Sequence, residues 1–135
     1  MRLVIDTNVL VSALLNPGRV PHRAVTVLCL QRCTVLYDRR IAEEYRSVLS
    51  RPKFGSIPRD RIDALLASVL AVGKDLGEVS PWTGELPDAD DRPFVEVALA
   101  GMADALVTGN VRHFPPGLGM NVLTPAHLLQ RLGGV

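Results

Sequence analysis

Acidic side chains at three separated places in the sequence could together bind a divalent cation. Asp6 follows the apolar run Leu3-Val4-Ile5, Glu44 lies within the segment IAEEYRSVL, and Asp91 ends the acidic stretch that begins at Asp88. Mg²⁺ and Mn²⁺ take oxygen ligands, commonly one or two carboxylates completed by water and substrate phosphate. Carboxylates from different elements form such a site only if those elements end at a common edge, so the secondary structure decides the question.

Helical periodicity distinguishes Glu44 from its neighbour Glu43. At about 100° per residue, the apolar side chains of the helix predicted over residues 39–50 fall on one arc, namely Ile41, Tyr45, Val48 and Leu49. Glu43 falls almost opposite this arc and should face water, whereas Glu44 falls at its border, where a side chain can turn into a cleft. We therefore select Glu44, with a surface pair between this acid and a nearby arginine as the alternative.

Asp6 has a plain structural alternative, as a helix N-cap or a buried hydrogen-bonded acid. Thr7 and Asn8 follow it directly and are themselves good capping residues. We expect one of these two to cap a helix that runs through Leu15, which leaves Asp6 available to bind a cation.

The acids before the fifth predicted helix also suit a helix N-terminus and its dipole. This helix is predicted from about Asp91 to Met102. Asp91 shares a face with the apolar residues Phe94, Val95 and Ala98 and should point inward. Asp90 is only slightly worse placed, so helical periodicity alone does not separate the two.

Strands alternate with helices along the chain. Strands are predicted at residues 2–6, 34–37, 105–107 and 121–123, and helices up to Leu15, at 21–30, at 39–50, at 62–72 closed by Gly73, at 91–102 and from Pro125. This alternation is typical of an α/β fold with a parallel central sheet and helices on both faces. Ligands of such sheets gather beyond the carboxyl ends of the strands, where Asp6 and the Thr108-Gly109-Asn110 turn would lie.

The composition indicates one globular domain and excludes several classes of function. The chain has 135 residues, of which 47% are hydrophobic and 4% aromatic. The low aromatic content argues against base stacking as the main means of binding a partner. No apolar run approaches the roughly 20 residues of a membrane span, and the first ten residues do not look like a signal peptide. We therefore expect a cytoplasmic protein without membrane association.

The net charge of +1 hides an uneven distribution. Residues 1–75 contain 12 basic and 7 acidic side chains, a balance of +5, and residues 76–135 contain 3 and 7, a balance of −4. Seven of the cations lie between Arg39 and Arg61. This segment could be a solvated helical face, or a basic rim beside an acidic pocket that suits a phosphate backbone and a bound metal.

Cysteines and histidines predict no further metal site. Cys29 and Cys33 are the only cysteines and are interpreted as buried thiols, since a structural zinc site would need more ligands. The histidines His22, His113 and His127 are far apart in the sequence and form no ligand pattern.

Three segments in order resemble the PIN-domain ribonucleases, in particular toxins of bacterial and archaeal toxin–antitoxin pairs. These segments are VIDTNVLVSALL, IAEEYRSVLSRPKF and DADDRPFVEVALAGMADALVTGN. The resemblance extends over nearly the whole chain and implies a single PIN-like nuclease domain over residues 1–135. It also implies hydrolysis of RNA phosphodiester bonds with Mg²⁺ or Mn²⁺, a cognate antitoxin protein as partner, and self-association into a homodimer as in relatives.

The resemblance carries the metal-binding acids over to Asp6, Glu44 and Asp91, and thereby favours Asp91 over Asp90. The family often has a fourth acid shortly after the TG of the last segment, where this chain has Asn110. An amide offers a neutral oxygen and no charge, so a second metal site should be weaker here than with aspartate.

The remaining roles are supporting ones. Asn8 and the Thr108 hydroxyl would orient the carboxylates, and Arg51 and Lys53 would contact backbone phosphates beside the cleft. One alternative function is an aspartyl-phosphate phosphotransferase, which would want an acid where this chain has Asn8. The other is a catalytically weakened PIN domain that acts as an RNA- or protein-binding module, which Asn110 favours. Metal-dependent cleavage of RNA would discriminate the enzyme from the binding module.

Overall fold

A five-stranded, entirely parallel sheet forms the centre of the computed structural model, which describes residues 1–133. The strands are β1 (Arg2–Ile5), β2 (Thr34–Tyr37), β3 (Gly73–Asp75), β4 (Ala105–Val107) and β5 (Asn121–Leu123). Their spatial order is β3-β2-β1-β4-β5, so β1 lies in the middle, between β2 and β4. The predicted α/β class with a parallel central sheet is confirmed.

Six α-helices accompany the sheet within the described part of the chain. They are α1 (Thr7–Leu15), α2 (Val20–Leu30), α3 (Arg39–Leu49), α4 (Arg59–Ala71), α5 (Arg92–Ala100) and α6 (Pro125–Arg131). Short 3₁₀-helices occur at Pro52–Phe54, Ala89–Asp91 and Val111–His113. The helix α5 packs against β1, β2 and β4, while α2 contacts both α1 and α6. None of these helices is long and apolar enough to cross a membrane.

The central strands are buried on both faces of the sheet. Leu3, Val4 and Ile5 of β1 have no exposed surface, and neither have the residues of β4. Because successive side chains of a strand point to opposite faces, helices must cover both faces here, as the continuous apolar run predicted. The residues that follow β1 and β4 therefore extend from a rigid base.

The edge strand β3 was not predicted. The helix α4 ends at Ala71 with Val72 as its C-cap, so the helix stops just before Gly73 as expected, but Gly73 also begins a strand that pairs with β2. A Cβ atom at residue 73 would lie 2.6 Å from the Tyr37 ring, so glycine permits this close approach. Two of the three residues of β3, Lys74 and Asp75, are charged, so no apolar pattern signals the strand.

The fifth helix is shorter than the prediction from Asp91 to Met102. Its first turn is the separate 3₁₀-helix Ala89–Asp91, and α5 begins at Arg92. At the other end, Gly101 ends α5 and Met102 has a φ of 49°, in the left-handed region. Asp91 consequently lies at the junction of two helical segments, rather than inside a helix.

Candidate metal centre at the carboxyl edge of the sheet

Asp6 connects β1 to α1 at the carboxyl edge of the sheet, and only 6% of its surface is exposed. Its backbone is extended, and one carboxylate oxygen accepts a long hydrogen bond of 3.4 Å from the backbone N–H of Asn8. Asp6 is thus the N-cap of α1, and the expectation that Thr7 or Asn8 caps this helix is wrong. The helix starts at Thr7, immediately after the strand, and the side chains of Thr7 and Asn8 make other contacts.

Two side chains donate hydrogen bonds to the Oδ2 atom of Asp6. The hydroxyl of the fully buried Thr108 donates to it at 2.8 Å, and the side-chain amide of Asn8 donates to it at 3.2 Å. The side-chain Oδ1 atom of Asn8 in turn accepts from the backbone N–H of Gly109 at 3.1 Å. These contacts connect the turn after β1 to the turn after β4. That Asn8 and Thr108 orient the carboxylate toward a metal ion stays a prediction.

Asn110 takes part in this arrangement through its backbone. Its N–H donates to the Thr108 hydroxyl oxygen at 3.0 Å, which leaves the hydroxyl hydrogen for Asp6. The Asn110 residue itself is exposed. The supporting role predicted for the Asn110 side chain stays a prediction.

Glu44 and Glu43 face in different directions, as the periodicity of α3 predicts. Glu44 is half-buried and accepts a hydrogen bond from the Thr7 hydroxyl. Glu43 is exposed and pairs with Arg39 at 2.9 Å, one turn earlier. The contact with Thr7 ties α3 to the first residue of α1 and so brings Glu44 to the edge where Asp6 lies.

Burial and neighbouring charges shift the pKa values of Asp6 and Tyr45. Burial raises the pKa of Asp6, although hydrogen bonds from Thr108 and Asn8 favour the charged form and act in the opposite direction. Burial also raises the pKa of Tyr45, whose hydroxyl donates to the Ile5 carbonyl, and the charges of Asp6 and Glu44 raise it further. Both carboxylates therefore lie within electrostatic reach of the same buried phenol.

Asp91 is largely buried and is influenced by the charge of Asp6. Its side chain is 13% exposed, whereas Asp90 is an exposed residue, so Asp91 is the inward-pointing acid of the pair. Burial, followed by repulsion from Asp6 and Asp88, raises the pKa of Asp91 to about 6, while His113 lowers it. The repulsion from Asp6 places the two carboxylates within electrostatic reach of each other, 85 positions apart in the sequence.

No lysine or arginine within residues 1–133 forms an ion pair with Asp6, Glu44 or Asp91. Concentrating buried negative charge is costly unless a cation compensates it. Mg²⁺ and Mn²⁺ carry the required charge and favour carboxylate oxygens. The donor set therefore fits a divalent cation, with Asp6, Glu44 and Asp91 as the residues that could bind it.

A sequence model of the PIN domain matches residues 2–112, which is most of the chain and includes all three segments that carry the resemblance. The chain belongs to the PIN domain family. No curated protein matches it closely enough to add a relative. PIN domains are in general metal-dependent nucleases, and the acidic residues of this PIN domain fit that class.

Two side chains beside Asp91 were missed by the sequence-based prediction. In this PIN domain, one donor atom each from Asp88, Asp91 and His113 lies within 4.8 Å of the others. The expectation that the histidines form no ligand pattern is therefore wrong for His113. The available signal was its place in the turn after β4, three residues beyond Asn110, at the edge where the acids were expected.

The basic segment of this PIN domain, Arg39 to Arg61, is not a uniform rim. Three of its cations form ion pairs, namely Arg39 with Glu43, Arg40 with Asp38 and Glu96, and Arg59 with Asp63. Arg51 and Lys53 are exposed and make no ion pair within the described residues, and the Lys53 ammonium lies 5.2 Å from the centre of the Phe54 ring. These two cations are thus available to an anionic ligand.

Proposed function

We propose that this PIN domain is a metal-dependent endoribonuclease in which Asp6, Glu44 and Asp91 bind Mg²⁺ or Mn²⁺. The observation that supports the proposal is the buried Asp6 carboxylate, which has no lysine or arginine partner in the described residues. Its charge raises the pKa of Tyr45 together with Glu44, and it also raises the pKa of Asp91. When bound, such a cation would activate a water molecule and stabilise negative charge on the phosphate.

The surrounding residues of the chain would hold the ligands in place. Thr108 and Asn8 donate to one Asp6 oxygen and so fix the orientation of that carboxylate. The Thr7 hydroxyl does the same for Glu44. Because ligands held in this way need not reorganise when the cation binds, the hydrogen bonds would strengthen binding and define its geometry.

RNA is the substrate that we propose, with Arg51 and Lys53 as contacts to its backbone. Both follow α3, the helix that contains Glu44, and both are exposed. Cations in this position would contact phosphates in any RNA, so they would position the strand without reading its sequence.

The proposal extends to a toxin of a toxin–antitoxin pair, a cytoplasmic protein whose partners are a cognate antitoxin and a second copy of itself. An apolar groove of about 630 Å³ runs between α2 and α4 and supports a protein partner. Leu30 on its border is 76% exposed, and Arg32 and Arg61 also line it. A partner segment with apolar and acidic side chains would suit this surface.

A binding module with weakened catalysis is the second candidate. Asn110 favours it, because an exposed amide offers less to a cation than the acid found at this position in many relatives. Such a protein would bind RNA with or without Mn²⁺ and would release no cleavage products.

Cleavage of a labelled RNA by the purified protein tests the proposal. Wild type should cleave with Mn²⁺ and not with EDTA, and Asp6→Asn and Glu44→Gln should each lose at least about 100-fold in rate, since loss of groups that merely orient ligands already costs about 10–100-fold. The matched control is Glu43→Gln, because Glu43 is adjacent in sequence and faces away. Cleavage by Asp6→Asn at the wild-type rate would contradict the proposal.

A further inference from the structure

Arg92 lies directly after Asp91, one of the proposed cation ligands, yet it forms no ion pair within the described part of the chain. Acids surround it in the sequence. Asp88 and Asp90 precede it, and Glu96 follows one turn later on α5, at the spacing at which opposite charges pair on a helix. Among the described residues, the positive charge of Arg92 thus has no acidic counterpart and can bind an anion from outside the chain.

Glu96 does not compensate Arg92 because both of its carboxylate oxygens are already engaged. Its Oε1 atom pairs with Arg40 at 2.7 Å, and its Oε2 atom accepts a hydrogen bond from the backbone N–H of Trp82 at 2.8 Å. The Glu96 side chain is only 5% exposed, so these contacts lie in the interior. Arg40, which comes from α3, therefore takes the carboxylate that would otherwise pair with Arg92.

Trp82 fixes the half-buried Arg92 side chain in one orientation. One terminal nitrogen of the guanidinium donates to the Trp82 carbonyl at 2.6 Å, and the guanidinium carbon lies 5.4 Å from the centre of the indole ring. The backbone packs closely on this ring, since a Cβ atom at Gly84 would lie 2.0 Å from it. Because a guanidinium has five N–H donors, this arrangement leaves donors available on a group that is already oriented.

The position of Arg92 places its charge on the α5 side of the proposed metal centre. Adjacent residues have Cα atoms about 3.8 Å apart, so an arginine beside a cation ligand can reach a substrate bound at that cation. Arg51 and Lys53 follow α3 and belong to a different element. The Arg92 guanidinium turns toward Trp82 and forms no ion pair with Asp91, which indicates a phosphate beside the scissile one.

We propose that Arg92, stacked on Trp82, binds an RNA phosphate that flanks the scissile one. The inference deepens the proposed function and rests on its assignment of RNA as the ligand. A guanidinium forms charge-assisted, bidentate hydrogen bonds to phosphate, and one that is held in place beforehand loses little side-chain entropy on binding. RNA that contacts Arg92 as well as Arg51 and Lys53 would pass across the proposed metal centre between them.

Binding of a labelled single-stranded RNA in EDTA tests Arg92 without catalysis. Arg92→Gln removes the charge and keeps N–H donors. It should weaken binding about ten-fold and reduce the slope of log K against log salt by about 0.7. Arg92→Lys keeps a cation and should recover most of the slope.

The matched control is Arg2→Gln, which should bind RNA as wild type does. Arg2 is also half-buried, and its guanidinium also donates to a backbone carbonyl, that of Gly101, at 2.9 Å. It begins β1 and so lies at the amino edge of the sheet, opposite the proposed metal centre. A general effect of removing one positive charge would therefore appear in both variants, whereas a phosphate contact would appear only in Arg92→Gln.

The fluorescence of Trp82, the only tryptophan of the chain, gives a second measurement. Saturating RNA should change its emission in wild type and in Arg2→Gln, because the phosphate binds the guanidinium that stacks on the ring. The change should be absent in Arg92→Gln. If Arg92 only anchors the loop, Arg92→Gln should lower the Tm and keep the salt slope of wild type. That slope, or a wild-type emission that does not respond to RNA, would overturn the proposal.

Cleavage kinetics with Mn²⁺ distinguish a flanking phosphate from the scissile one. A contact with a flanking phosphate stabilises the ground state and the transition state equally. Arg92→Gln should therefore raise KM about ten-fold and change kcat by less than about two-fold. A fall in kcat as large as the fall in kcat/KM would place the contact at the scissile phosphate and contradict the assignment.

The binding and cleavage assays separate this inference from the proposed function. If wild type cleaves RNA in a reaction that needs Asp6 and Glu44, while Arg92→Gln binds RNA as Arg2→Gln does, the Arg92 contact is wrong and the nuclease stands. If wild type cleaves no RNA but Arg92→Gln lowers the affinity and the salt slope, the contact stands and the protein is an RNA-binding module.

Discussion

Asp6 and Asp38 are close structural counterparts with different electrostatic surroundings. Each follows a parallel strand at the carboxyl edge of the sheet, each is the N-cap of the next helix, and they are 6% and 4% exposed. Asp38 pairs with Arg40 at 2.8 Å, and the same guanidinium pairs with the buried Glu96 at 2.7 Å. Asp6 has no arginine or lysine partner among the described residues and instead faces other acids.

The position of an acid after a strand does not reveal its role, whereas the charge of its neighbours does. In the Asp38 group, the negative charges of Asp38 and Glu96 are compensated by Arg40 within the chain. Glu96 also accepts a hydrogen bond from the Trp82 N–H at 2.8 Å, which anchors the proline-rich loop before α5. Arg92 adds to this by donating to the Trp82 carbonyl at 2.6 Å. The Asp38 group is therefore structural, whereas the negative charge of Asp6 is left without a lysine or arginine partner among the described residues, as the proposed metal centre requires.

The largest expected effect on stability is that of Arg40→Ala. Removing this guanidinium leaves Asp38 and Glu96 buried without a cation. The loss should be about 2–3 kcal/mol of unfolding free energy, somewhat below the range for a fully buried pair because Arg40 is 46% exposed. Urea unfolding in EDTA and in Mn²⁺ should give the same loss, because Arg40 is not part of the metal centre. A change below about 0.5 kcal/mol would contradict the structural role of this group.

The second, smaller effect on stability is expected when the variants Asp38→Asn and Asp6→Asn are compared. Both changes keep a capping residue and remove the charge, and each also exchanges one acceptor oxygen for an NH2 group. At Asp6 the oxygen that can be exchanged at least cost is Oδ1, whose hydrogen bond from the Asn8 N–H is long at 3.4 Å. In EDTA, Asp38→Asn should lose about 1–2 kcal/mol, whereas Asp6→Asn should be as stable as wild type or slightly more stable, since it relieves repulsion. Mn²⁺ should raise the Tm of wild type and of Asp38→Asn, and of Asp6→Asn much less.

Thermal melts of the three proteins, with EDTA and with Mn²⁺, check this comparison. A strong destabilisation of Asp6→Asn in EDTA would mean that Asp6 is mainly a structural cap, like Asp38. The metal-centre interpretation of its burial would then be wrong.

Much of the fold and part of the site follow from local patterns in the sequence. The buried run of β1 and the apolar arc of α3 are strong periodic signals, and the latter also separates Glu44 from Glu43. The edge strand β3 was missed because three residues with two charges carry no such signal. Local pattern thus predicts elements that are long or strongly apolar, and fails for short pairings that depend on tertiary contacts.

Contacts between distant segments could not be predicted in the same way. The choice of Asp91 over Asp90 needed the family resemblance, since both lie near the start of one helix. His113 was dismissed because its partner Asp91 lies 22 positions away, and nothing in the local sequence indicates that contact. The N-cap of α1 was misassigned because the sequence does not show at which residue the strand gives way to the helix.

The unfolding free energy of the metal-free protein should also depend on pH through Asp91, by about 1 kcal/mol once solvent screening of this partly exposed carboxyl is allowed for. The pKa of Asp91 is raised to about 6, above its value in an unfolded chain, so the folded metal-free protein binds this proton more tightly. The resulting stabilisation is fully present below about pH 4 and is lost as the pH rises through about 6. In EDTA, Asp91→Asn should therefore gain stability relative to wild type between about pH 4 and pH 7.

Chemical unfolding of both proteins at intervals across that range gives the measurement. Repeating it in the His113→Asn background removes any contribution from titration of the imidazole. With Mn²⁺ the trend should reverse, because the cation binds the charged carboxylate and stabilises wild type more as the pH rises. A constant difference between wild type and Asp91→Asn would show that the folded-state environment leaves this carboxyl unperturbed.

The smallest expected effect is on RNA binding, and it concerns the cations of the basic segment instead of the acids. Arg39 and Arg59 form ion pairs on the helix surface, whereas Arg51 and Lys53 form none within the described residues. If the unpaired cations contact RNA phosphates, Arg51→Ala with Lys53→Ala should weaken binding in EDTA. It should also reduce the slope of log K against log salt by about 1–1.5, since each phosphate contact on a single strand contributes about 0.7.

The double variant Arg39→Ala with Arg59→Ala removes the same net charge and should change the slope less, because those cations are already compensated. Fluorescence anisotropy of a labelled RNA between about 50 and 200 mM salt measures both slopes. Equal slopes for the two double variants would mean that RNA responds only to the net charge of the segment, and that Arg51 and Lys53 belong to a solvated surface.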